Sequence, residues 1–525
     1  MSEAPHSDSE VKRVPSGLED VQRDENRAPW LLNMAEVKLL GIAGVGFFLD
    51  AYDLFIINPV STMLMYRLYG GNSMPPGLEG FLKAGANIGS VIGQFGFGYA
   101  ADALGRKAVY GKELMLIIFA TIMSLTVPTG SLSPDSCLIY LGVWRIILGI
   151  GVGGDYPMSA SVTSDRTNLR KRGTMLAYIF SNQGWGSLVG SLVTIIVLLC
   201  YKQVMHEEGK VSKTDGVWRI AVGLSLIPAF ATLYQRLTLG ESTRYIASKA
   251  LSDEEKIAKD SAAAQEEPVK HVASSGSESD VPVAELTEGT APKKAHFREF
   301  IEYFSHWRNG KLLLATSMCW FLLDIAFYGI NLNQNVVLQQ IGFDGKTGTP
   351  WEKMFNISTG NIIITVLGFV PGYYATIFTI EKLGRKWIQI QGFLLAALFL
   401  GILAGKFDTL SKPAFIVCFA LLQFFFNFGA NSTTYCYPAE VFPTRFKAFA
   451  HGISAAAGKA GAIISALAFN SLSKKVGTPV ILWIFFGCCI AGAGFTLMLP
   501  EVKGRDADII DAEEMRQTRE KSSAQ

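Results

Sequence analysis

Three side chains at regular spacing define the first candidate for chemistry. In the apolar run 311–332, Trp320, Asp324 and Tyr328 follow one another at i, i+4 and i+8. That spacing stacks them on one helix face. An acid flanked by an indole N–H and a phenol suits an oxyanion site. The alternative is an aromatic seam in which Asp324 caps a helix or pairs with a distant base. Because Asp324 lies deep in an apolar run, the functional use is preferred. Asp50 and Asp53, in Leu49-Asp-Ala-Tyr-Asp-Leu54, share a face of the run 37–63. Two close carboxylates suit proton uptake, and a salt bridge from one of them to Arg145 is a compatible second use. Arg145 hardly deprotonates, so it is expected to be charged and paired. Lys459, in Ala-Gly-Lys-Ala-Gly, is a further mid-run charge that could attract an anion or release an acid from pairing. Amides supply neutral donors: Asn427 and Asn431, with Tyr435, at i, i+4, i+8, and Gln183 in Asn182-Gln-Gly-Trp-Gly186. Their competing use is to hold helices together.

Such residues need long apolar elements to position them, and the composition supplies these. The 525 residues are 49% hydrophobic and only 18% charged, whereas soluble chains carry about 25% charged residues. The charges concentrate in the tails and between about 240 and 310. Apolar runs able to cross roughly 30 Å of hydrocarbon occur twelve times. They lie near 37–63, 80–101, 108–128, 137–160, 174–200, 217–238, 311–332, 356–379, 387–405, 413–435, 447–471 and 478–499. In lipid such runs must satisfy their own backbone, hence helices. The expected fold is an all-α integral membrane protein of twelve transmembrane helices in two pseudo-symmetric six-helix bundles. Its parts are a tail (1–36), a bundle (37–239), a linker (240–310), a second bundle (311–499) and a tail (500–525). The linker, with Ala-Ser-Ser-Gly-Ser-Glu-Ser-Asp at 273–280, lacks the apolar content to fold beyond one short surface helix.

Arg106-Lys107, Arg170-Lys-Arg172 and Arg385-Lys386 lie in even-numbered loops, while 129–136 has no base. Both tails and the linker are therefore expected in the cytoplasm. Net charge of +2 offers no concentrated basic face, so no nucleic-acid partner is expected. The seven cysteines fall mostly in apolar tracts without metal spacing. Neither a metal-ligand cluster, a Ser/Cys–His arrangement nor a phosphate-binding Gly-Lys-Ser/Thr loop is found. No enzymatic activity and no cofactor are expected.

An internal repeat orders the elements. Asp102-Ala-Leu-Gly-Arg-Lys107 returns as Glu381-Lys-Leu-Gly-Arg-Lys386, 279 positions on. At that offset Asp165 aligns with Thr444 and Tyr156 with Tyr435. Two parallel halves around a central pathway follow. Gly98-x3-Asp102-x2-Gly-Arg-Lys107 resembles the loop 2–3 signature of the major facilitator superfamily. Pro438-Ala-Glu-x-Phe-Pro-Thr-Arg445 and Glu241-Ser-Thr-Arg244 resemble motifs of its sugar-porter branch. Gly153-Gly-Asp-Tyr-Pro-Met-Ser-Ala160 is similar to the signature of fungal and plant phosphate:proton symporters, although Thr163-Ser-Asp165 replaces the usual Met-Ser-Glu.

That resemblance implies an importer of inorganic phosphate with protons, in a lipid bilayer and at the plasma membrane. It makes Asp155 a proton site and Tyr156 a phosphate donor, although Asp155 near its helix end could equally form a salt bridge or cap. Helices 1, 4, 7 and 10 line the cavity in the superfamily, which favours Asn431 as a donor. Glu113, Asp102, Arg106, Arg385 and Arg445 are expected at a cytoplasmic gate, unless they only set topology, and His451 is expected to be structural. Phosphate would bind among Tyr156, Gln183, Trp320, Asp324, Tyr328 and Asn431. Asp50, Asp53, Asp155 and Asp324 would serve proton coupling, while Arg145, Lys459 and Glu113 would pair with charges or release them. An ionised Asp324 beside dihydrogen phosphate would cost several kcal/mol, so the proton should bind first. The rivals are a proton-coupled sugar porter and a phosphate sensor signalling through the linker.

Overall fold

A computed structural model describes residues 28–242, 245–246, 293–333, 337–338, 340, 342–343, 345 and 347–513. Most of the linker, including 273–280, lies outside them, as do Thr243 and Arg244 of the Glu-Ser-Thr-Arg motif. Among the described residues the long elements are helical. They are α1 (Met34–Tyr69), α2 (Pro76–Leu104), α3 (Arg106–Leu125), α4 (Pro134–Arg166), α5 (Leu169–Cys200) and α6 (Val211–Leu237). The second set is α7 (Trp307–Asn331), α8 (Pro350–Leu383), α9 (Arg385–Gly405), α10 (Lys412–Val441), α11 (Lys447–Val476) and α12 (Thr478–Thr496). Eleven are long and apolar enough to cross a membrane. The twelfth, α2, is 29 residues long and buries Lys83, Asn87, Ser90 and Gln94 in the protein interior rather than facing lipid with them.

Local chemistry sets the ends. Asn33 and Glu36 form a capping box that starts α1, and Thr349 with Glu352 does the same for α8. The glycine of each Gly-Arg-Lys motif closes a helix. Gly105 and Gly384 take φ of +99° and +84°, a region that side chains with a Cβ rarely enter. The spans run beyond the apolar stretches that announce them because capped polar turns extend the helices.

In the first half α2 packs most closely on α4, and α1 on α5. Across the halves α2 meets α11 and α5 meets α8, while α4 and α10 meet one another and α4 also touches α11. Ile92, Phe119, Ile196, Phe230, Leu398, Val417 and Trp483 stay exposed around the perimeter, as a lipid-facing surface requires. Helix regularity fails at mid-depth: α1 is interrupted at Ile56, α8 opens into a π-turn over Thr365–Phe369, and α10 ends at Asn427 and resumes at Ala430. Backbone irregularity at membrane depth is tolerated where it is buried in protein or lines a pathway.

Gly153 shows how tightly the first half is drawn together. A Cβ there would lie 2.2 Å from the Ser90 carbonyl oxygen of α2. Gly153→Ala must push the two helices apart, at about 1–3 kcal/mol. Its melting temperature in detergent should fall clearly below wild type. Gly96→Ala, with nothing within 4 Å of the new methyl, should not lower it.

The helix Lys293–Ser305, within the linker, rests Phe300 and Phe304 on Phe442, Phe446 and Phe449 at the turn between α10 and α11. The start of α11 is thus covered by an aromatic layer. After α12 the chain returns to the same turn, where Asp508 accepts from the Thr444 amide (2.6 Å) and hydroxyl (2.7 Å).

Candidate functional site

Midway along the bundle a polar cluster joins both halves. Tyr156 of α4 donates its hydroxyl to Asp50 of α1 at 2.5 Å. Gln183 of α5 donates its amide to the Tyr156 hydroxyl (2.7 Å) and to Asp50 (3.2 Å). From the second half, Lys459 of α11 donates to the hydroxyls of Tyr328 (2.6 Å) and Tyr156 (3.4 Å). Tyr373 of α8 donates to the Gln183 carbonyl oxygen at 3.3 Å and accepts from Asn431 of α10 at 2.8 Å. Asp324 of α7 is 1% exposed, and its Oδ2 has no hydrogen-bond partner among the described residues. Its charged neighbours are Lys459 and Asp50. The structure therefore gathers Asp50, Tyr156, Gln183, Tyr328, Asn431 and Lys459 into one network with Asp324 beside it. Trp320 approaches through its ring, 6.1 Å from that of Tyr156.

Aromatic side chains close the cluster above and below. On the side toward Gly105-Arg106 and Gly384-Arg385, which we term the basic end, Phe47 packs on Tyr156, Phe180 and Tyr435, and Phe180 stacks on Tyr435 at 4.7 Å. Tyr435 leads on to His451, whose ring also meets Trp320. About two turns away, Phe55 stacks on Tyr328 and meets Phe369, which Phe327 joins. Trp351 of α8 donates to the Leu198 carbonyl of α5 (2.7 Å), and Asn58 of α1 to that of Asn331 of α7 (3.0 Å). Both ends are shut, so the cluster is occluded.

Four candidate residues, Asp53, Glu113, Arg145 and Asp155, lie outside the hydrogen-bonded cluster. Asp155, one residue before Tyr156, is bound by Arg236 of α6 at 2.6 Å and by the Ser159 hydroxyl at 2.9 Å. Glu113 binds the same guanidinium at 3.2 Å and is fully buried. Of the two uses expected of Glu113, the pair with Arg236 matches charge pairing, but the residue does not reach the gate. It lies inside the first half instead, because α3 breaks at Tyr110-Gly111 and the restarted helix turns Glu113 inward toward Arg236, where the Gly111 amide also donates to it (2.8 Å). Arg145 donates to the main-chain carbonyls of Leu82 (3.0 Å) and Asp53 (3.1 Å), so it meets Asp53 through the backbone.

At the basic end the repeat becomes a pair of latches. Asp102 accepts from the Ala448 and Phe449 amides of α11, while Glu381 accepts from the Thr174 amide of α5. Each carboxylate caps the first turn of a helix in the opposite half, where the helix dipole favours negative charge. Arg106 lies 3.2 Å from Asp102 and 3.5 Å from Asp165, and Arg385 binds Glu381 (2.8 Å) and Glu440 (2.7 Å). Glu440, not Thr444, thus occupies the role of Asp165. The constant offset of 279 fails here because α4 and α10 end at different distances from the first motif. Lys447 adds a bridge to Asp165 across the halves at 2.9 Å. Arg445 instead binds Asp511 after α12, at 3.0 Å.

Sequence reasoning missed Arg236, Tyr373 and Lys447. Arg236 stands near the end of an apolar run, where a basic residue normally marks the membrane boundary. Tyr373 has no ionisable neighbour to single it out, and Lys447 looks like another loop base.

The comparisons agree with this architecture. The description of the sugar (and other) transporter family matches residues 39–513. A Schizosaccharomyces pombe relative with a provisional name as an inorganic phosphate transporter is 46% identical over 96% of this chain and 92% of its own. The inorganic phosphate transporter PHO84 of Saccharomyces cerevisiae is 36% identical over 97% of this chain and 89% of its own. The repressible high-affinity phosphate permease of Neurospora crassa is 35% identical over 93% and 88% respectively. Among solved structures, the major facilitator superfamily proton:xylose symporter XylE superposes with a TM-score of 0.68 at 20% identity, covering 92% of this chain and 99% of that one. The chain belongs to the sugar (and other) transporter family and has the major facilitator fold.

Proposed function

We propose that the protein imports inorganic phosphate together with protons, alternating the access of one central site between the two sides of the membrane. The observation that carries this reading is the charge balance of the site. Asp50 and Asp324 are both buried, and among the described residues Lys459 is the cation near them. With both acids ionised the site already holds an excess negative charge, and an arriving phosphate anion would add another in low dielectric. Protonating an acid removes that conflict and turns Asp324 into a hydrogen-bond donor. Phosphate then has donors in Tyr156, Gln183, Trp320, Tyr328, Asn431 and protonated Asp324, with Lys459 supplying charge. Neutral donors keep the anion weakly enough held to leave.

The names of the relatives at 35–46% identity support the choice of phosphate. The basic loops support a cytoplasmic position for the latched end, the tails and the linker, in the plasma membrane. Entry requires the Asn58–Asn331 and Trp351–Leu198 contacts to part, and release requires the Asp102 and Glu381 latches to open. Asp50 and Asp324 take protons from outside, and their loss inside expels the anion. Asp155, paired with Arg236 alongside Glu113, directly precedes Tyr156, so a change of pairing in that triad can move the phosphate ligand.

The test is radiolabelled phosphate uptake by purified protein in proteoliposomes, with the outside made acidic. Uptake should rise as external pH falls, collapse with a protonophore, and be competed by unlabelled phosphate but not hexose. Uptake indifferent to the proton gradient, or competed by hexose, would overturn the reading.

A further inference from the structure

A line of amides leads away from the central cluster and is not needed to build it. Gln423 and Asn427 stand one turn apart on α10, and Asn431 follows just past its break. Asn431 donates to the Asn427 side-chain oxygen at 2.7 Å, and Asn427 donates to the Gln423 carbonyl at 2.7 Å. The Gln423 amide donates to the Asn331 side-chain oxygen of α7 at 2.9 Å. Asn58 of α1 completes the line by donating to the Asn331 carbonyl from the other half. All five are buried, Asn58 being the most accessible at 7%. The line runs away from the basic end, first across the break at Phe428-Gly429 and then one helical turn along α10 to Gln423.

Amides inside a membrane commonly hold helices together. Three features go beyond that use. The line begins at a proposed phosphate donor, advances in one direction, and ends at a hydrogen bond that must break when the halves part on that side. Parting removes the cover of Asn58 from Asn331 and opens Gln423 to the entrance. Each amide offers N–H donors and no charge, which suits an anion that must bind and then move on.

We propose that Asn58, Asn331 and Gln423 form an outer subsite that receives the phosphate anion before Asn427 and Asn431 pass it to the central cluster. The proposal rests on the phosphate reading above. The test replaces a donor by a carboxylate of the same shape, Gln423→Glu, in vesicles oriented with the tails inside. Zero-trans influx and efflux are measured in the same preparation. The expected result is an influx KM raised about tenfold, equivalent to ~1.4 kcal/mol. The efflux KM, set by association from the other side, should not follow it. An unchanged influx KM, or an equal rise in both directions, would overturn the subsite. If Gln423→Glu does not fold, Asn58→Asp at the accessible end carries the same expectation and the same refutation. Wild-type vesicles that take up no phosphate would defeat the underlying reading, an outcome distinct from wild-type uptake with an unaltered variant.

Discussion

Vesicles containing the Asp324→Asn protein should build up no phosphate under an inward proton gradient, a loss of at least a hundredfold. That factor corresponds to about 2.7 kcal/mol. Burial is the reason: Asp324 is 1% exposed, and one of its oxygens lacks a hydrogen-bond partner among the described residues. An ionised carboxylate so placed repels the anion, whereas a protonated one can donate to it. Asparagine copies the shape and donor of the protonated acid but cannot give up the proton. The variant should therefore still exchange labelled for unlabelled phosphate, and that exchange should lose its dependence on pH. What disappears is the coupling that drives net accumulation. Asp408→Asn, at an exposed turn between α9 and α10, should accumulate phosphate as wild type does. Gradient-driven accumulation surviving intact in Asp324→Asn would sink the mechanism, whichever other acids take part.

Much of this arrangement is legible in the sequence because the membrane simplifies the problem. Apolar runs must be helices, so residues four apart, such as Trp320, Asp324 and Tyr328, share a face by helical periodicity alone. A charge inside such a run announces itself by its cost, which is how Asp50, Asp155 and Lys459 stand out. The Gly-Arg-Lys repeat likewise exposes the two halves, since glycine is needed where α2 and α8 end at positive φ. Other features depend on which helices meet. Nothing along the chain says that Glu113, Asp155 and Arg236 converge, because they come from α3, α4 and α6 at separations of 81 and 123 residues from the arginine. Nor does repeat spacing alone identify Glu440 as the counterpart of Asp165. The second half reaches this position four residues sooner after its motif than the first, and only the arginine partner of each carboxylate restores the register. Tyr373 is invisible for a different reason. A tyrosine in a membrane helix is ordinary, and its role emerges only when Gln183 and Asn431 reach it from opposite halves.

Arg236→Met should cost about 3–5 kcal/mol of stability, the range for removing one partner of a buried ion pair. The guanidinium is 1% exposed and binds Asp155 and Glu113 through Nη1. It also binds the Ile42 and Ala43 carbonyls of α1 and lies over the Tyr110 ring at 4.9 Å. Without it two carboxylates face each other in a sealed interior with no cation between them. A reduced melting temperature and a poor yield of monodisperse protein should follow. Neutralising the acids tests whether charge is the cause. Arg236→Met combined with Glu113→Gln and Asp155→Asn should recover most of the lost stability, so the single effects should be strongly non-additive. If the lost stability came mainly from the bonds to α1 or the packing on Tyr110, the triple variant would stay as unstable as Arg236→Met. Transport separates a second question. The recovered triple variant keeps Asp50 on the Tyr156 hydroxyl but loses the carboxylate one residue before it. If a change of pairing at Asp155 moves Tyr156 during transport, the variant should bind phosphate and yet accumulate far less than wild type under a proton gradient. A stable triple variant that accumulates phosphate normally would make the triad a scaffold, leaving proton coupling to Asp50 and Asp324.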